Sequence, residues 1–169
     1  KVYTYDLLKK NLPNILGNIS WNKSMKWGNY DLSWGRPLKS ILANFDNKKI
    51  NFNFYHLKSS NLTIIDKDLE VKTQKFHNFK SYIAHFKSLG IIIDQDKRKL
   101  FIKSEILKIA NKNNLKLHLS EIMLDEIANI VEKPNILKCE FDKRYLDIPK
   151  EIIITSMQNH QKYFPTFDN

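Results

Sequence analysis

The chain has little of several residue types on which common chemistries depend. Its single cysteine, Cys139, cannot form an internal disulfide, and a reducing, cytoplasmic setting is the expectation. Cys139 also sits in an apolar strand-like pattern, which predicts a buried, inert thiol. With four glycines there is no G-x-x-x-x-G-K-[ST] loop and no dinucleotide-binding glycine motif. The histidines, His56, His77, His85, His118 and His160, stand in no ligand spacing, so no metal site is expected. No serine-nucleophile motif occurs, and no catalytic residue is assigned. Arginine is confined to Arg36, Arg98 and Arg144, which argues against a site built on many bidentate phosphate clamps. No apolar run approaches the roughly 20 residues of a membrane span, and no signal-peptide pattern opens the chain. The first residue is Lys1 rather than Met, so a piece of a longer protein is expected.

What is present is positive charge. Lys and Arg total 28 against 18 Asp and Glu, a net +10 with a pI near 9.5. That balance suits a polyanionic partner, because cations that neutralise phosphates release condensed counterions. Abundant Lys, Asn and Ile also fit simple compositional drift, and the two readings stand side by side. The 42% hydrophobic share is enough for a core.

Periodicity divides the chain. Leu7, Leu8, Leu12 and Ile15 predict a helix over 3–15 that Pro13 ends or kinks. An irregular stretch over 17–37 holds Trp21, Trp27 and Trp34. Leu38, Ile41, Leu42 and Phe45 fit a short helix or a buried strand, while Ile50, Phe52 and Phe54 alternate as a strand. Leu62 to Ile65 and Leu69 to Val71 read as short strands. Phe76, Phe79, Ile83 and Phe86 define a helix face that Gly90 closes, and Ile91–Ile93 follows as a strand or tight connector. Asp94 caps a long helix through Asn111, with Leu100, Ile102, Ile106 and Ala110 facing inward. Ser120 caps another, with Ile122, Met123, Ile127, Ile130 and Val131 as its apolar positions. Ile136 to Phe141 reads as a strand, and Asp147 and Pro149 open a last helix. The expectation is one α+β domain over 1–169: a helix at 1–16, mostly irregular and β structure at 17–75, and mostly helix at 76–169.

Two clusters stand out. Ser24-Met25-Lys26-Trp27-Gly28 and Trp34-Gly35-Arg36-Pro37 interleave aromatics with cations, which suits base stacking and phosphate contact, or else tryptophans that pin a loop to the core. Near the end, Ser156, Asn159, His160 and Tyr163 share a helix face by i, i+3, i+4, i+7 spacing. That face fits a phosphate or base edge, or a polar network to a neighbouring domain.

These two clusters resemble the β subunit of the bacterial heterotetrameric glycyl-tRNA synthetase. The likeness extends through Arg36-Pro37-Leu38, Gly90 to Asp94 with Lys97-Arg98-Lys99, Leu119-Ser120-Glu121 and Glu126 to Pro134. It continues from Phe141 to Pro149 and from Ile154 to Pro165. Order and spacing agree over nearly the whole chain, which amounts to about a quarter of such a subunit. The family's Gly-His-Arg-Phe element is missing: Lys58-Ser59-Ser60-Asn61-Leu62-Thr63 leads directly into Ile64-Ile65-Asp66. No role of that His and Arg is carried over.

The resemblance implies an accessory α+β domain, similar to the B3/B4-type domain of the phenylalanyl enzyme's β subunit. Its assembly would be α2β2, charging tRNA-Gly with glycine, with ATP and Mg used by the catalytic α subunit and no cofactor bound here. From charge and position alone, the candidate tRNA contacts are Lys26, Arg36, Lys97, Arg98 and Lys162, with Trp27 and Tyr163 as candidate stacking groups. Ser156, Asn159 and His160 are the candidate interdomain cluster. The rival expectation is an architectural module that touches no tRNA. An editing site fits poorly, because no amino acid is smaller than glycine and a size sieve has nothing to exclude.

Overall fold

The structure is a computed structural model that describes residues 2–67 and 70–168. Helices and short antiparallel strand pairs make an α+β fold. The chain separates into two compact units, Lys1–Ala84 and His85–Asn169, with the boundary inside the helix Phe79–Ser88.

The first unit begins with α1, Thr4–Gly17. Pro13 does not end it, although proline removes one backbone donor and costs an interior helix about 3 kcal/mol. Packing overrides that cost. Tyr5, Leu8, Leu12 and Leu16 lie against a core of Leu32, Ile50, Phe52 and Phe54. Leu7 and Ile15, part of the spacing that predicts this helix, are exposed. Four two-residue-to-six-residue hairpins follow: β1 (Met25–Lys26) with β2 (Ser33–Trp34), β3 (Asn44–Phe45) with β4 (Lys48–Lys49), β5 (Asn53–Phe54) with β6 (Leu57–Lys58), and β7 (Leu62–Lys67) with β8 (Glu70–Lys75).

The segment 38–43 forms no helix. Ile41 O accepts from Ser60 N–H and Ala43 N–H donates to Ser60 O, and Leu42 bridges Ser60 in parallel. These backbone groups are engaged across the chain rather than along a helix. Buried Ser59 ties the short pieces together: its hydroxyl accepts from Phe52 N–H (2.8 Å) and donates to Ile50 O (2.7 Å). Leu69, read as part of a strand, lies outside the described residues.

α2 (Phe79–Ser88) is shorter than its pattern: Phe76 is buried ahead of it, and Phe79 is exposed. Gly90 follows with φ +76°, a conformation that a Cβ would strain. In the second unit 91–93 is a connector, with Ile92 N–H donating to Glu132 O. Asp94 caps α3 (Gln95–Lys112) by accepting from Lys97 N–H at 3.0 Å, and Ser120 caps α4 (Glu121–Ile130) through Met123 N–H. Ile102 and Ile106 of α3 meet Leu124 and Ala128 of α4, with Leu117, Ile136 and Phe164 around them. Leu100, expected to face inward, is exposed instead, and Ile122 of α4 is exposed too.

Residues 134–140 pair with no strand among the described residues. Only Ile136 of this segment is anchored in the core, so its neighbours are exposed, Cys139 among them; the expected buried thiol is corrected. α5 (Lys150–Thr155) continues as a π-turn, Ser156–His160. The chain returns as β10 (Thr166–Asp168) against β9 (Leu115–Leu117).

Candidate nucleic-acid interface

The aromatic–cation cluster of the first unit is built on the β1–β2 hairpin. Met25 pairs with Trp34 and Lys26 with Ser33, and Gly28 takes φ +61° in the connecting turn. Trp27 is half-buried, and its indole N–H donates to Trp34 O at 3.1 Å. Trp34 in turn meets Phe54 of the core edge-on at 5.8 Å. Trp27 and Trp34 thus pin the loop to the core. Trp21 leans on Trp34 at 4.9 Å yet is 42% exposed.

Lys26 is exposed and pairs with Asp31 at 3.1 Å. Arg36 is exposed, and it makes no hydrogen bond or ion pair among the described residues. A cleft of about 590 Å³ is lined by Ser20, Trp21, Asn22, Lys23, Trp34, Gly35 and Arg36. A second, of about 450 Å³, lies where Lys9 and Pro13 of α1 meet Asn51, Phe52, Asn53 and Lys58.

The candidates of the second unit are placed differently. Arg98 is buried, so it departs from the expected RNA contact: its Nε donates to Ala128 O (2.5 Å) and its Nη1 to Ile92 O (2.7 Å). Its charge holds α4 and the 91–93 connector to α3. Lys97 is exposed at the start of α3, 3.5 Å from Asp94, whose carboxyl is held below its ordinary value chiefly by the Lys97 backbone N–H. Lys162 adopts φ 57° and pairs with Glu126 at 2.9 Å. Tyr163 is half-exposed, and its N–H donates to Met157 O. Ser156, Asn159 and His160 are exposed along the π-turn, and their side chains have no hydrogen-bond partner among the described residues.

Further cations join α3 to α4. Lys99 lies 2.6 Å from Asp125 and 3.3 Å from Glu121, and Lys103 bonds to Glu121. The hydrogen bond to Asp125, the first cause, raises the Lys99 ammonium above its ordinary value; Lys103, then Lys99, hold Glu121 below its own. Among the described residues no three His, Cys, Asp or Glu converge on a metal position, and no helix is long and apolar enough to cross a membrane.

The sequence profile described as "Glycyl-tRNA synthetase beta subunit" matches residues 1–169. The chain belongs to that family. Relatives agree. The glycine–tRNA ligase beta subunit of Rickettsia akari (strain Hartford) is 34% identical over 163 residues, 96% of this chain and 25% of the relative. That of Rickettsia bellii (strain OSU 85-389) is 35% identical over 165 residues, 95% of this chain and 25% of its own. That of Clostridioides difficile (strain 630) is 33% identical over 162 residues, 96% and 24%. The chain thus spans about a quarter of the length of the curated relatives it matches.

Sequence reasoning passed over Lys9, Lys23 and Lys58 in this family member. Lys23 was within reach, two residues after Trp21 in the same aromatic–cation run. Lys9 and Lys58 carry no such signal, because only the packing of α1 on the β5–β6 hairpin brings them together.

Proposed function

We propose that this chain is an accessory region of a glycine–tRNA ligase β subunit whose first unit meets the tRNA backbone. One observation carries the reading: the positive charge is segregated. Lys1–Ala84 holds 14 Lys and Arg against six Asp and Glu, a net +8; His85–Asn169 holds 14 against 12, a net +2. The side chains of Lys9, Lys23, Arg36 and Lys58 have no hydrogen bond or ion pair among the described residues, so they are available to phosphates. Recognition on this reading is by shape and charge rather than base sequence. ATP-dependent glycylation belongs to the whole α2β2 assembly, with the chemistry at the α subunit and this region contributing affinity and placement.

The experiment is the affinity of the full-length assembled enzyme for tRNA-Gly across a salt series, with Lys9→Gln and Lys58→Gln. Each phosphate contact removed lowers the log–log salt slope by about one. An unchanged slope in both variants overturns the reading.

The organising role is favoured for the second unit by its exposed apolar side chains. Leu137, Leu146 and Ile152 are 71%, 63% and 59% exposed and would be covered in such a contact. On this reading Asn159 and His160 extend that surface with polar contacts. Alanine at both then weakens assembly and leaves tRNA affinity alone, as analytical ultracentrifugation and filter binding would show.

A further inference from the structure

The cleft beside the β1–β2 hairpin has features that backbone neutralisation alone does not require. Its floor is an aromatic pair. Trp34 is fixed from behind by Phe54 and through its carbonyl by the Trp27 indole. Trp21 rests on it at 4.9 Å with the planes 56° apart. Gly35 makes this possible: a Cβ there would lie 2.8 Å from the Trp21 ring, closer than packing allows. Trp21 is thus held against Trp34 and Gly35 while 42% of it stays open. Lys23 and Arg36 line the same cleft, and neither has a protein partner among the described residues. At about 590 Å³ the cleft falls in the range of small-ligand sites, roughly 300–1,000 Å³.

A large exposed aromatic surface beside free cations is the chemistry that binds unpaired nucleotides. A base stacks on the indole, and the phosphates next to it meet ammonium and guanidinium. An acidic peptide would use the cations and leave the indole face without a matching surface. A duplex would reach the cations but keep its bases stacked on each other, away from Trp21. We infer that the Trp21–Trp34 cleft takes one unpaired RNA nucleotide, base on Trp21 and flanking phosphates on Lys23 and Arg36. This rests on the reading that the first unit faces RNA, and it adds a single-stranded element to that contact. Stacking tolerates any base, so the site recognises an unpaired position and not its identity.

The test uses the full-length assembled enzyme with two probes, a short oligouridylate and an RNA duplex without overhangs. Trp21→Ala is expected to weaken oligouridylate binding about tenfold and leave duplex binding as it was. Trp21→Phe keeps a stacking face and retains most of the affinity, while Arg36→Gln, on the surface, weakens the oligouridylate several-fold. Equal oligouridylate affinity in wild type, Trp21→Ala and Arg36→Gln overturns the inference, as does an equal loss on both probes from Trp21→Ala. The backbone reading is separable: if Lys9→Gln and Lys58→Gln leave the tRNA salt slope intact while Trp21→Ala still loses the oligouridylate, that reading falls and the cleft stands. The converse pattern removes the cleft alone.

Discussion

The two units carry the same number of Lys and Arg, yet they use them in opposite ways. In His85–Asn169 the totals nearly balance, 14 cations to 12 acids, and seven of the cations are ion-paired among the described residues, several as fasteners: Lys99 and Lys103 bind α3 to α4 through Glu121 and Asp125, Lys162 binds its turn to Glu126, and Arg98 is buried against two carbonyls. In Lys1–Ala84 acids are half as many, and Lys9, Lys23, Arg36 and Lys58 point at no described partner. A formal charge says nothing about binding until its partners are counted. The drift reading and the polyanion reading of this composition each describe one part of the chain better than the other.

The sharpest way to break that contrast is at Arg98. If it is a fastener, Arg98→Ala leaves Ala128 O and Ile92 O without donors and empties a buried site. Hydrogen bonds to a charged donor contribute about 1.5–3 kcal/mol each net of water, so a loss of about 3 kcal/mol in chemical denaturation is expected. tRNA affinity measured below the unfolding transition should not change. An Arg98→Ala protein of full stability with weakened tRNA binding would move this residue back among the contacts.

The first unit is held by something smaller. Its hairpins are mostly two residues to a strand, too short to be stable alone, and Ser59 links two of them from within. Ser59→Ala leaves Phe52 N–H and Ile50 O short of a partner in a buried place, at about 1–2 kcal/mol. Ser59→Ala should therefore lower the first unit's unfolding free energy and leave hydrogen-exchange protection in α3 and α4 unaltered. Equal loss of protection in both would mean that the units do not unfold separately.

How much of this was legible in the sequence follows the same divide. Where structure is local, pattern sufficed: Asp94 and Ser120 cap the helices they were expected to cap, and Gly90 has the positive φ that a helix end asks of glycine. Where tertiary contacts decide, it did not. Pro13 stays inside α1 because the Leu8–Leu12–Leu16 face is packed. Residues 41–43 pair with Ser60, and that contact decides between the helix and the strand that their spacing left open. The expected strand at 136–141 failed for want of a partner strand, which also left Cys139 in the open. For the candidate site, Lys26 and Arg36 were identified from aromatic–cation interleaving, whereas the burial of Arg98 depends on a carbonyl 30 residues away.

A smaller effect compares surface charges directly. Lys9→Gln with Lys58→Gln should lower the salt slope of tRNA binding by about two, and Lys99→Gln with Lys103→Gln should leave it unchanged while loosening α3 from α4. Ion pairs that face water contribute little, so the second pair of substitutions costs little stability. Equal slope changes from both doubles would erase the distinction between the units.

The smallest expected effect is on pH, and it lies in the second unit. Glu121 is held below its ordinary value by Lys103 and Lys99, so the stability it contributes is fully present above the unfolded-state value and is lost as pH falls through the folded one. Lys99 is raised by Asp125 and Glu121, so its contribution is present below the unfolded-state lysine value and is lost as pH rises through the folded one. The second unit should therefore keep a plateau between these limits and weaken at both ends. Because the pairs face water, added salt should shrink both slopes. Glu121→Gln should flatten the acid side, and it should remove one of the two negative charges at Lys99 and so shallow the alkaline side too, since the same carboxylate serves both lysines. An acid slope that survives Glu121→Gln unchanged would assign acid sensitivity elsewhere, with Asp94, lowered by the Lys97 amide, as the next group to substitute.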